Sequence, residues 1–136
     1  MSATPISDLA TLLASMRPEL HAGAWAWCGL PRGASTEGVD AIATLREAEG
    51  LTLVVDEAEA LARGWRVAFR SAWITLTVHS DLAGVGLTAA FARALADAGV
   101  ACNVVAGIHH DHLFVPHERA ADAMTALQAL QARSTG

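Results

Sequence analysis

The chain has 136 residues, of which 53% are hydrophobic and 17% are charged, so it suits one ordinary domain or two very small ones with an ordered core. Its net charge is −5, and its nine basic residues are arginines that form no cluster, which argues against nucleic-acid binding. No apolar run reaches the roughly 18 residues of a membrane span, and the N-terminus has no signal-peptide pattern, so we expect a cytoplasmic protein.

The chain begins with a predicted helix and a predicted strand. Apolar residues at helical spacing predict a helix over residues 6–16, with Ser7 as its N-cap. Residues 20–28 have the pattern of a strand that carries Trp25 and Trp27 on one face.

A loop, a hairpin and a short helix follow. The stretch 29–40 is rich in turn-forming residues and predicts a loop. Residues 42–55 predict a hairpin that turns at Glu49-Gly50, although the helix formers around Leu45 would also suit a helix. Residues 57–63 predict a short helix that Gly64 ends.

The C-terminal half predicts the element order β-α-β-β-α. The five elements are a strand at 72–79, a helix at 85–98, a strand at 100–106, a strand at 110–115 and a helix at 117–132. This order fits a ferredoxin-like split β-α-β unit, in which both helices lie on one face of the sheet. The other face of the sheet would be open to a partner.

Several segments resemble a known family. The run from Val78 to Ala106 resembles the ACT domain, a small regulatory module of amino-acid metabolism, because a helix that ends in LADAG precedes a strand with CNVV. WITLTVHS, VGLTAA, CNVVAG and HDHLFVP together resemble a bacterial family of tandem ACT-domain proteins, and the N-terminal pieces PELH and EGLTLVV extend the resemblance.

The resemblance implies an α+β fold with two tandem, ferredoxin-like βαββαβ units packed together. A degenerate N-terminal unit would occupy residues 1–70, and an ACT domain would occupy residues 71–136. No close sequence repeat relates the halves, and elements of the C-terminal half could complete the N-terminal sheet.

The first candidate site is the turn that leads into the helix at 85–98. Amides at a helix N-terminus carry partial positive charge and suit a carboxylate. In ACT domains this turn and the Asn-bearing strand commonly form an effector pocket between two units. The resemblance therefore implies a ligand site at Ser80, Asp81, Gly84, Val85, Gly86, Leu87 and Asn103. A well-capped helix beside an Asn that bonds its own sheet is the structural alternative.

The second candidate site is a group of histidines. If the first and third strands of the C-terminal half pair antiparallel, His79, His110 and His112 share the face away from the helices. Three imidazoles could bind zinc, but His-x-His alone is not specific, and the histidines could instead line the ligand pocket or a subunit interface. His110, Asp111 and His112 therefore join the predicted ligand site, with Asp111 as a possible acceptor for a ligand ammonium group.

The sequence specifies no catalytic triad, Walker motif or Rossmann glycine pattern, so we expect a non-enzymatic protein without a cofactor. The leading hypothesis is a regulatory or sensor protein that binds a small amino acid or related metabolite at an ACT–ACT interface, as a homodimer or higher homo-oligomer. One alternative is a metal-binding protein or metal-dependent enzyme that uses His79, His110 and His112. Another is a purely structural interaction module with its tryptophans at a subunit contact.

Overall fold

The computed structural model describes residues 8–78 and 85–134, and an antiparallel sheet runs through both halves of the chain. Its strands are β1 (Pro18–Leu20), β2 (Trp25–Pro31), β3 (Ala41–Arg46), β4 (Gly50–Asp56), β5 (Phe69–Leu76), β6 (Asn103–Ala106) and β7 (Asp111–Pro116). The helices are α1 (Leu9–Ser15), α2 (Glu57–Ala62), α3 (Leu87–Asp97) and α4 (Ala120–Ser134). None of the described helices is long and apolar enough to cross a membrane.

Local hydrogen bonds explain where the N-terminal helices and the hairpin begin. Asp8 caps α1 by accepting a bond from the Thr11 amide at 3.0 Å, whereas Ser7, the predicted cap, lies outside the described residues. Glu47 and Gly50 exchange backbone hydrogen bonds at the turn between β3 and β4, which confirms the hairpin rather than the alternative helix. Asp56 caps α2 in the same way as Asp8 caps α1.

The two halves complete each other's sheets. The strand order is β3-β4-β2-β5-β7-β6, and β1 lies beside β5 on the same side as β2. The split β-α-β unit of the C-terminal half is confirmed, and β1 supplies its fourth strand position. The start of β5 supplies the corresponding position for the N-terminal half, where Trp25 pairs with Ser71. The stretch between β2 and β3 contains turns in place of a helix.

Two apolar clusters cover one face of the sheet, which we call the helical face. The larger cluster joins α1, α3 and α4 to β5 and β7, with Phe91 of α3 and Leu113 of β7 fully buried in it. The smaller cluster joins α2 to β2 and β4 through Ala60, Cys28 and Leu53. Burial of these side chains supplies most of the driving force for the fold.

The opposite face, which we call the helix-free face, carries an aromatic layer made of Trp25, Trp27, Phe69, Trp73 and Phe114. Phe114 is fully buried because Trp27 packs edge-on at 5.4 Å and Trp73 stacks at 6.3 Å between ring centroids. The sheet also curls, since residues of the two edge strands β3 and β6 line the same cavity. Part of the face that was expected to be open is therefore closed by the protein itself.

Candidate functional site

The N-terminus of α3 forms the first part of the candidate site. Gly86 occupies the N-cap position with φ +106°, a left-handed conformation that favours glycine, and it offers no side chain to cap the helix amides. Val85 is 89% exposed, whereas Leu87 is buried in the helical core. A Cβ atom on Gly86 would lie 3.0 Å from Leu9 Cδ2, so α1 packs directly against this turn. The other predicted turn residues, Ser80, Asp81 and Gly84, lie outside the described residues.

Asp111 lies at the same end of the sheet as the start of α3. It pairs with Leu76 on one side and Ala106 on the other, and alternation along β7 directs its side chain to the helical face. It is 8% exposed, and this burial raises the pKa of its carboxyl group, while His112 and then His110 act in the opposite direction. A helix N-terminus and a desolvated carboxylate thus lie at one end of the helical face.

Asn103 lies in a different part of the molecule. It pairs with Phe114 at the beginning of β6, on the helix-free face, and it is exposed. Three residue-to-residue steps along the strand, about 10 Å, separate it from Ala106 at the end of the sheet where α3 starts. Within one chain, the sheet therefore separates Asn103 from Gly86 and Leu87.

His112 occupies the helix-free face as predicted, and its hydrogen bonds define its protonation state. The Trp73 indole N–H donates to His112 Nδ1 at 3.1 Å, and the Thr75 hydroxyl lies 3.0 Å from the same nitrogen. Burial lowers the pKa of His112, as do His110 and His21, while Asp111 raises it. Because an indole N–H can only donate, this arrangement requires a neutral imidazole with Nδ1 as the acceptor.

His21 is part of the same network, although no feature of the sequence identified it. Its Nε2 lies 2.7 Å from Thr75 Oγ1, and its ring stacks on Trp73 with 3.5 Å between centroids. Burial lowers the pKa of His21, and the charge of Glu19 raises it. Thr75 thus links His21 to His112 in a hydrogen-bonded group on the helix-free face.

The zinc hypothesis depends on a residue outside the described part of the chain. His110 Nδ1 lies 3.5 Å from the Val78 carbonyl oxygen, just before β7 begins. Its proposed partner His79 is not described. Among the described residues, no group of three His, Cys, Asp or Glu side chains could hold a metal ion. A metal site at His79, His110 and His112 stays a prediction.

Comparisons with known families identify two matching regions. One family model described as ACT domain matches residues 4–72, and a second model with the same description matches residues 69–129. A search among curated proteins found no match.

Solved structures agree with the sequence matches. A protein of unknown function from Vibrio cholerae, VC0802, described as a possible transport protein, is 46% identical, with a TM-score of 0.81 over 90% of this chain and 95% of its own. Protein Atu0741 from Agrobacterium tumefaciens has 15% identity and a TM-score of 0.65, covering 85% of this chain and 89% of its own. The ligand-free regulatory subunit of aspartate kinase from Thermus thermophilus has 12% identity and a TM-score of 0.64, covering 85% of this chain and 96% of its own.

Proposed function

The chain belongs to the ACT-domain family and carries two ACT units in tandem, and we propose that it is a non-enzymatic regulatory protein that senses a small amino acid or related metabolite. ACT domains are regulatory modules, and the structures that share this fold include a regulatory subunit of aspartate kinase. We also propose that the boundary between the two units falls between residues 70 and 71.

The observation that carries the proposal is the pair of opposite electrostatic features at one end of the helical face. The first amides of α3 would bind a carboxylate, because they carry partial positive charge and Gly86 leaves them without a side-chain cap. Asp111 would accept the ammonium group, and the added positive charge would offset the desolvation of its carboxylate. An α-amino acid has these two groups on one carbon atom.

We further propose that the complete site forms between two ACT units of a homodimer or higher homo-oligomer. In ACT domains the turn and the Asn-bearing strand commonly meet at such an interface, whereas the sheet separates Asn103 from Gly86 within this chain. The site would contain the turn residues and Asn103 together with His110, Asp111 and His112. The ligand would act by stabilising one packing of the units over another.

A thermal-unfolding screen with the twenty amino acids tests the proposal. A ligand at 100 times its dissociation constant stabilises the folded state by about 2.7 kcal/mol, which raises the unfolding midpoint by roughly 2–8 °C. Asp111→Asn should weaken the binding of the responding amino acid by about 10- to 100-fold, since it removes a charge-assisted hydrogen bond.

Asp97→Asn is the matched control, because Asp97 is exposed at the opposite end of α3, where it pairs with Arg93. This control should retain the full thermal shift. An identical ligand response in both variants would contradict the assignment of Asp111, and silence across the whole panel would contradict amino-acid sensing. Light scattering with and without the responding ligand tests the oligomeric state, and a monomer under both conditions would contradict the interface.

A further inference from the structure

A second concave surface lies on the helix-free face, across the sheet from Asp111 and the start of α3. It is a cleft of about 500 Å³ between the edge strands β3 and β6. Trp27 of β2 and Val54 of β4 form its floor, and Val54 is almost completely buried. Leu45 stands at the β3 side of the cleft and is 62% exposed, while Val105 and Asn103 stand at the β6 side.

The lining of the cleft carries no charge. Of its ten lining residues, all of them described, seven are apolar and three are polar but uncharged. The hydroxyl of Thr52, one of the three, already donates to the Glu47 carboxylate. A charged ligand would lose its hydration here without meeting a charged residue in the lining, so the lining favours an uncharged molecule.

Two polar groups could orient such a molecule. The Asn103 amide is exposed at the cleft and can both donate and accept hydrogen bonds. The Trp27 indole N–H is buried without a hydrogen-bond partner among the described residues, and an unpaired buried donor costs free energy. Trp27 also lines an adjoining cavity of about 350 Å³ together with Phe69 and Asn103. The cleft therefore combines a mainly apolar lining with a few polar groups, as small-molecule pockets do.

We propose that this cleft binds an uncharged small molecule with a flat aromatic or aliphatic body and one polar group. The body would lie against Trp27 and Val54, and the polar group would bond to Asn103. This ligand is chemically distinct from an amino acid, which carries two charges at pH 7. The cleft shares Asn103 with the proposed amino-acid site, but Gly86, Leu87 and Asp111 do not line it. Binding of a neutral molecule here can therefore fail while amino-acid binding at Asp111 holds, and the reverse.

A pair of fluorescent probes with one ring system tests the proposal. N-phenyl-1-naphthylamine is neutral, and 8-anilino-1-naphthalenesulfonate adds a sulfonate to the same framework. Titration at pH 7.5 should show saturable binding of one neutral probe per chain. The affinity for the anionic probe should be at least about tenfold lower, because the cleft offers it no counter-charge.

Leu45→Ala should lower the affinity for the neutral probe by about three- to tenfold, since it removes part of the cleft wall. Leu61→Ala is the matched control: Leu61 is 65% exposed on α2, close to the 62% of Leu45. This variant should bind the probe as the native chain does. Val105→Trp, which fills the cleft, should abolish binding, and its circular dichroism and melting profile show whether it folds.

Three outcomes would overturn the proposal. The first is an absence of saturable binding of the neutral probe to the native chain. The second is an equal affinity for both probes, or an equal loss in Leu45→Ala and Leu61→Ala. The third is probe binding that disappears as the protein concentration rises and dimers form, because a second copy of the chain would then occupy the cleft.

Discussion

The neutral state of His112 leads to a prediction about pH. The folded protein holds the pKa of His112 below its ordinary value of 6.5, chiefly through burial. His112 therefore takes up its proton at a higher pH in the unfolded chain than in the folded chain. Because the unfolded state binds more protons, stability falls as the pH is lowered. The stability contributed by neutral His112 is fully present above about pH 6.5 and is lost progressively below it. The loss ends when the pH reaches the lowered pKa of His112 in the folded state.

His112→Leu isolates this contribution. At pH 7.5 the variant leaves the Trp73 indole N–H, which lies 3.1 Å from His112 Nδ1 in the native protein, without its acceptor. An unpaired buried donor costs about 1–3 kcal/mol. Because Trp73 is half-buried, we expect the variant to lose about 1–2 kcal/mol of stability. For a domain of this size the melting midpoint should fall by roughly 3–10 °C.

The assay is thermal unfolding of the native chain and the variant between pH 5 and pH 7.5. The native midpoint should fall as the pH drops below 6.5, and the variant should lose less over this range. The melting midpoint of the variant should still fall somewhat with falling pH, because burial also lowers the pKa of His21 from 6.5. Asp111 acts with the opposite sign, since its raised pKa costs stability as the pH rises above 3.8. Because His112 lowers the pKa of Asp111, His112→Leu should raise that pKa further and extend the Asp111 contribution toward higher pH.

Two results would refute the assignment of a neutral His112. One is a melting midpoint that depends on pH equally in His112→Leu and the native chain. The other is a native protein that becomes more stable as the pH falls from 6.5 to 5.5.

Three further predictions concern stability. Phe91→Ala, in the core of the helical face, should cost about 3–5 kcal/mol in urea unfolding, whereas a loss below about 1 kcal/mol would place Phe91 outside a packed core. Gly50→Ala should disrupt the β3–β4 hairpin, because its Cβ would overlap a backbone carbonyl of β2. Gly23→Ala, with φ +93° and no atom within 4 Å, should melt at a higher temperature than Gly50→Ala. The reverse order of the two melting temperatures would contradict the hairpin geometry. Arg119→Ala should cost about 0.5–1.5 kcal/mol in urea unfolding, because its guanidinium donates to the carbonyls of Ala98 and Gly99 at the end of α3; an unchanged midpoint would show that these bonds contribute nothing.

The elements with strong local patterns were predictable from the sequence. Alternation identified β7 and the faces of Asp111 and His112, and the structure confirms both faces. The hairpin was predictable because the resemblance to the ACT family implies it and because the apolar run of β4 needs a neighbouring strand. Gly99 follows α3 with φ +74°, the left-handed conformation that glycine adopts at helix ends.

The features that depend on distant pairing were not predictable. The sequence indicated one strand over residues 20–28, but the chain forms β1 and β2 on either side of a break, and both pair with β5. That break brings His21 onto Trp73, a contact that no local pattern encodes. The curl of the sheet arises from strand twist accumulated across the sheet, so the cleft at Asn103 was also invisible to periodicity.

Isothermal titration calorimetry with each of the twenty amino acids decides whether this tandem ACT protein recognises an amino acid. We expect at least one of them to bind with a dissociation constant below about 1 mM, which corresponds to about −4.1 kcal/mol. We also expect a stoichiometry of one ligand per chain and a clear loss of affinity in Asp111→Asn. If the folded protein shows no saturable binding to any of the twenty, amino-acid sensing is wrong.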